Sequence, residues 1–152
     1  MKTRILSLFA MVLLLSACDN TPAPTLAPET IFDSPDMQAI TSVFNRKLGT
    51  TSTLYGNNAA RIAASAADSG HLPGEIFTLV TWELVPNPYW FGGNINGERQ
   101  VIETVKVLPA ANDGIRIDYE IENTEGKILT RSNDDQEQRI NFIFGQKASV
   151  FP

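Results

Sequence analysis

Ile76-Phe77-Thr78-Leu79-Val80-Thr81-Trp82-Glu83-Leu84 (IFTLVTWEL) is a nine-residue run of β-branched, aromatic and aliphatic side chains with polar residues interleaved. Such a run reads as a β-strand, because branched and aromatic side chains fit a pleated surface better than a helix. Three later stretches share its character: Gln100 to Leu108 (QVIETVKVL), Gly114 to Ile121 (GIRIDYEI) and Arg139 to Phe144 (RINFIF). Lys127 to Arg131 adds a fifth, shorter one, and Asn123-Thr124-Glu125-Gly126 before it reads as a hairpin loop. Thr50 to Tyr55, rich in threonine, is a further short strand candidate.

Upstream of these strands the period changes. Ser34-Pro35 supplies a cap and a first-turn proline, and Met37, Ile40, Phe44 and Leu48 recur at three- and four-residue steps, which predicts a helix ending at Gly49. Gly56-Asn57-Asn58 opens a second helix with Ala59, Ile62, Ala63 and Ala66 on its apolar side, stopped by Ser69-Gly70. The order predicts an α+β domain over residues 31–152: an antiparallel sheet of about five strands with two N-terminal helices packed on it.

The amino terminus carries a different kind of signal. Lys2 and Arg4 precede eleven apolar residues, Ile5 to Leu15, and the small residues Ser16-Ala17 precede Cys18, the sole cysteine of the chain. This is the layout of a secretory signal, and its apolar run is too short to span a bilayer. Leu15-Ser16-Ala17-Cys18 looks like a bacterial lipobox, which implies removal of residues 1–17 and acylation of Cys18. Asp19 resembles the signal that retains lipoproteins at the periplasmic face of the inner membrane. Several acyl chains anchor a protein durably where one holds it only marginally. Thr21 to Thr30 (TPAPTLAPET), with three prolines, reads as the tether of an 18–30 linker.

Beyond residue 17 the chain has 10 basic against 17 acidic side chains, a formal charge of about −7. Such a surface repels phosphate backbones, so nucleic acid is excluded as a partner. A thiol committed to lipid forms no disulfide, and packing alone must stabilise the domain.

Few residues suggest chemistry. His71, the single histidine, lies in the polar turn Ser69 to Gly74, where solvation is the ordinary fate. Glu120 with Glu122, and Asp134 with Asp135, are paired carboxylates; the first pair is expected on a solvated strand face. There is no Gly-x-Ser-x-Gly, no phosphate-cradling loop and no histidine pair, so nucleophilic and metal-hydrolase mechanisms lack their parts and no catalytic residue or metal ligand is assigned. The loop from Val85 to Gly97 carries Tyr89-Trp90-Phe91 between prolines and glycines and is either a plug over the sheet or the wall of a binding site. Trp82, on the strand before it, belongs by its pattern in the core; Trp82, Tyr89, Trp90 and Phe91 are the candidate ligand or partner contacts.

Three stretches, Ser52 to Ala60 (STLYGNNAA), Leu72 to Trp82 (LPGEIFTLVTW) and Asn87 to Gly92 (NPYWFG), resemble the cytochrome P-460 family, periplasmic haem proteins close to the β-sheet type of cytochrome c′. The resemblance spans about Thr50 to Val107 and implies a similar sheet-and-helix scaffold. Family members that carry haem attach it through Cys-x-x-Cys-His late in the chain. The corresponding stretch here, Thr130 to Gln138 (TRSNDDQEQ), has neither cysteine nor histidine, and Glu83 stands where a cross-linking lysine is sought. Without those thiols and that imidazole the haem chemistry does not transfer, and no cofactor is expected. The sequence points to a membrane-anchored, haem-free binding or accessory module that meets an envelope protein or a small ligand. The alternatives are an envelope inhibitor of the immunity-protein type, and a haem-b carrier or oxidoreductase using His71 near Trp82 and Trp90.

Overall fold

The computed structural model describes residues 26–66 and 70–149. Among them a five-stranded antiparallel sheet is accompanied by two helices, an α+β fold. The elements are β1 (Gln38–Asn45), β2 (Thr50–Gly56), α1 (Asn58–Ser65), β3 (Ile76–Pro86), β4 (Asn94–Pro109), β5 (Ile115–Asn123) and α2 (Asn133–Phe144). The strands lie in chain order, β1-β2-β3-β4-β5, each antiparallel to the next.

β3 is the centre. It pairs with β2 from Phe77 to Glu83 and with β4 from Ile76 to Pro86. Because side chains alternate, Phe77 and Leu79 face one side while Val80 and Trp82 face the other, and all four are buried. A strand buried on both faces is nearly continuously apolar, which is why IFTLVTWEL is so plain a signal.

Three expected elements differ. The helix over Pro35 to Leu48 is not formed: Pro35-Asp36 is a turn, closed by a Met37 N–H to Ser34 C=O bond of 3.1 Å, and Gln38–Asn45 is strand β1. Proline at the second position of a β-turn is as natural as proline in a first helical turn. The expected apolar stripe is not a buried face either, since Phe44 and Leu48 are 64% and 74% exposed. The branched residues Ile40, Thr41 and Val43 favour extension, and pairing with β2 decides the outcome.

At the other end, Arg139 to Phe144 is the last half of helix α2 instead of a strand. Ser132 caps it: its Oγ accepts from the Asp135 N–H at 3.3 Å and donates to Asp135 Oδ2 at 2.7 Å. Asp134 and Asp135 sit in the first turn, where the helix dipole favours negative charge. Ser132-x-x-Asp135 is the signature that marks this start in the sequence. Lys127 to Arg131 makes a single bridge to β5, Glu122 to Ile128, and no sheet strand. The Asn123 to Gly126 turn is present, closed by a 3.1 Å bond from the Gly126 N–H to the Asn123 C=O.

The second helix forms where expected, but it ends at Ser65 and turns Ala60 and Ala64 inward instead of the expected Ala59, Ile62, Ala63 and Ala66, with Ile62 64% exposed. Asn57 caps α1 by accepting from the Ala60 N–H at 2.9 Å, and its Nδ2 donates to the Gly74 C=O at 2.8 Å. Ala60 and Ala64 of α1 and Ile143 of α2 share a buried cluster with Ile40, Leu54, Phe77, Leu79 and Val105. The chain after α2 ties in two more elements: the Ala148 N–H donates to the Ala64 C=O and the Ser149 N–H to the Ile40 C=O. Ile40 marks the irregularity in the β1–β2 ladder, so a strap bond meets its carbonyl there.

Gly56 lets β1 and α1 approach β2. A Cβ on it would stand 2.6 Å from Ile40 Cδ1 and 2.9 Å from Ala60 Cβ. Gly56→Val is expected to cost about 2–3 kcal/mol through overpacking, read as a drop of roughly 5–15 °C in the melting temperature.

Candidate functional site

The alternation that buries Leu54 and Leu79 also sets the character of the sheet face nearer the β3–β4 loop. Two residues away from Leu54 and Leu79, that face carries Ser52 and Thr81, which bond through their hydroxyls at 2.8 Å. Val101, partner of Thr81, and Glu103, partner of Leu79, continue the face on β4. Here the apolar core gives way to a cavity of about 680 Å³. Its walls include Val43, Phe44 and the Arg46-Lys47-Leu48 turn, then Thr50, Ser52, Thr81, Gln100 and Val101 of the sheet, and Arg131, Arg139 and Phe142 from the C-terminal part. β4 has an extra residue at this point, since Thr81 pairs with Val101 but Trp82 with Arg99. The ladder break at Gln100 is where that side chain joins Val101 in the cavity wall.

Glu103 anchors the wall. Its carboxylate is 1% exposed and receives three charge-assisted bonds: Arg139 Nε to Oε1 at 2.9 Å, Arg139 Nη2 to Oε2 at 2.6 Å, and Tyr119 O–H to Oε1 at 2.5 Å. A forked guanidinium matches both oxygens of a carboxylate, which a lysine cannot do. The guanidinium also lies 4.9 Å from the centre of the Phe142 ring. Burial, the bond to Glu103 and that carboxylate's charge raise the Tyr119 phenol above its ordinary range. The bond to Glu103 raises Arg139 in turn, against the opposing effect of burial.

Among the described residues, four Lys and Arg side chains border this cavity, in a chain of net negative charge. The single carboxylate among its lining residues is Glu103, already engaged by Arg139. Among the described residues, Arg46, Lys47 and Arg131 are left as uncompensated positive charge beside the apolar surface of Val43, Phe44, Val101 and Phe142. None of these residues stands out in the sequence. The hydrophobic-to-charged switch Val101-x-Glu103 on a strand face is the available signal.

The four aromatic candidates do not converge. Trp82 is fully buried and borders a separate cavity of about 420 Å³ with Thr30 to Asp33, Glu98, Arg99 and Thr124. Its ring meets Tyr55 edge-on at 6.5 Å, and its Nε1 has no hydrogen-bond partner among the described residues. Tyr89, Trp90 and Phe91 are exposed, Phe91 completely, so the loop is not a plug. Cys18 and Asp19 lie outside the described residues.

His71 is more than a solvated turn residue. Its Nδ1 is 2.6 Å from Oε2 of the buried Glu75, whose Oε1 accepts from the Leu72 N–H at 2.8 Å. The imidazole stacks on Phe144 at 3.6 Å and meets Phe77 edge-on at 5.8 Å. Those contacts make it a clasp between the turn before β3 and the end of α2. It borders neither cavity, so the pairing of His71 with Trp82 and Trp90 around a haem is not assembled. With no cysteine or second histidine in Thr130 to Gln138, the residues present do not fit haem attachment. Among the described residues no group of three potential ligands could hold a metal ion, and no helix is long and apolar enough to cross a membrane.

Compared with protein-family models and with curated proteins, the chain matches none.

Removing one partner of the Glu103–Arg139 pair strands a buried charge. Arg139→Met is expected to cost about 3 kcal/mol in urea unfolding, and Glu103→Leu with Arg139→Met to recover most of it. Arg131→Met should stay within about 0.5 kcal/mol of the parent. The raised Tyr119 phenol has a defined sign: the folded state holds it neutral, so its contribution is complete below the ordinary phenol range near pH 10 and is lost as pH rises toward the raised value. Stability measured from pH 9 upward should fall less steeply in Tyr119→Phe.

Proposed function

We propose that this chain is a lipid-anchored protein of the bacterial cell envelope, held at the periplasmic face of the inner membrane through Cys18, whose domain binds a small amphiphilic anion. The observation that carries the ligand class is the 680 Å³ cavity with its unbalanced charge: Arg46, Lys47 and Arg131 beside a guanidinium already satisfied by Glu103. Its size falls in the range of small-molecule sites, and its walls combine apolar area with a few convergent polar groups. Hydroxyls of Thr50, Ser52 and Thr81 add hydrogen-bonding capacity without negative charge.

The scaffold is proposed to be a haem-free relative of the cytochrome P-460 type, with both helices lying on one face of the sheet. Support comes from the places of the shared motifs: Gly56-Asn57 opens α1, Pro73-Gly74 precedes β3, and Trp82 lies within it. The shared burial of Ala60, Ala64 and Ile143 with Leu54 and Leu79 supports the helix placement.

Titration calorimetry of the unlipidated chain from Thr21 onward with octanoate and with octanol separates charge recognition from apolar partition. Octanoate is expected to bind at least about tenfold more tightly, a difference of about 1.4 kcal/mol, and Arg131→Ala to remove most of that margin. Equal affinities for acid and alcohol would dismiss the anion site.

A further inference from the structure

We infer that the Tyr89-Trp90-Phe91 loop is a second membrane contact, seated in the lipid interface beside the acyl anchor; this rests on the anchored reading of Cys18. The loop is built to project. Pro86 pairs with Asn94, the Asn87 N–H donates to the Gly93 C=O at 2.9 Å, and the Gly93 N–H donates to the Trp90 C=O at 3.1 Å. The last bond closes a turn with Phe91 and Gly92 at its apex, and Gly92 takes the positive φ of 79° that such a turn needs at its third position. Three aromatic rings are thereby held outward on a closed hairpin, Tyr89 at 62%, Trp90 at 75% and Phe91 at 104% exposure.

The occupant is identified by where the chain leaves the fold. Phe32 packs on Tyr55 at 4.9 Å, and Tyr55 pairs with Thr78 in the first half of β3. Two residues earlier, the Thr30 N–H donates to the Asn96 C=O at 3.1 Å, and Asn96 pairs with Leu84 near the end of β3. Traced backward, the segment therefore runs toward the aromatic loop and leaves the domain beside its base. Eight peptide steps separate Leu26 from Cys18, a reach of at most about 30 Å. A lipid on Cys18 thus keeps the bilayer close to this end of the sheet.

Charge agrees. Val85 to Gly97 contains no charged residue, in a chain whose net charge is negative. The β1–β2 turn reaches the same end, since the Gly49 C=O accepts from the Leu84 N–H at 2.9 Å, and it presents Arg46, Lys47 and an exposed Leu48. Tryptophan and tyrosine favour the headgroup boundary, where one end of the ring is apolar and the other wet, and basic side chains are drawn to anionic lipid.

The chain has two tryptophans, one exposed and one buried, so emission from Trp90 is obtained by difference against Trp90→Phe. The full-length gene product is isolated from bacterial membranes, its intact mass is measured, and it is reconstituted into phosphatidylethanolamine and phosphatidylglycerol vesicles with brominated acyl chains. The expected result is loss of most Trp90 emission, no loss from Trp82 in Trp90→Phe, and recovery when Tyr89→Ser and Phe91→Ser are combined with Trp90 retained. An acylated Cys18 together with Trp90 emission that aqueous iodide quenches as fully on vesicles as in solution would leave the anchor standing and overturn the seating. Protection of Trp90 by lipid-free envelope proteins, without quenching by brominated lipid, would also overturn it, in favour of a protein partner. An unmodified amino terminus would dismiss the anchor; brominated-lipid quenching of the chain held by an amino-terminal histidine tag on nickel-chelating vesicles then decides the seating on its own.

Discussion

A carboxylate placed in the middle of a sheet at 1% exposure has to be compensated, and the compensation of Glu103 organises the cavity-lined part of this domain. Its neighbours along β4, Val101 and Val105, are apolar, and its cross-strand partners are Leu79 and Ile121. An ion there forfeits its hydration, at a cost of several kcal/mol even after relaxation. Arg139 restores it with two bonds and Tyr119 with a third. Arg139 comes from α2 and Tyr119 from β5, so these bonds to Glu103 couple the helix to two strands. Replacing the group of three by hydrocarbon would remove a demand as well as a contact, and would leave Arg46 and Arg131 as the guanidinium groups of the cavity wall.

The same arrangement explains which parts of the fold are legible in the sequence. β3 is readable almost to its ends because both of its faces are buried, leaving few polar interruptions. β5 and α1 are readable because their boundaries carry turn and cap residues, Gly114 before the one and Asn57 before the other. β1 is hidden because four large residues at helical spacing are also compatible with an edge strand, where half the side chains are exposed. What separates the two readings is pairing with β2, a contact that local periodicity does not encode. α2 is hidden for the opposite reason: RINFIF has strand composition, and the decisive Ser132-x-x-Asp135 cap lies seven residues upstream of Arg139.

Of the candidate site, the exposed aromatic loop is legible as a loop, because prolines and glycines frame it and no core position calls for three consecutive rings. The cavity is not. Its lining residues come from β1, β2, β3, β4, the stretch before α2 and α2 itself, separated by up to 99 residues from Val43 to Phe142. No local spacing joins Arg46 to Arg131, so a charge imbalance of this kind becomes visible only when the meander and the second helix are both in place. His71 shows the same limit at smaller scale: the Glu75 four residues on is in view, whereas the Phe144 that stacks on it is not.

An open meander has two lateral borders, and on β5, short of the Glu122–Ile128 bridge, that border is marked by Arg116, Asp118 and Glu120 at every second position. A second copy approaching in an antiparallel sense would have to bring ionised side chains against its backbone amides and strip them of water. Charged side chains along an edge strand disfavour its pairing with another chain.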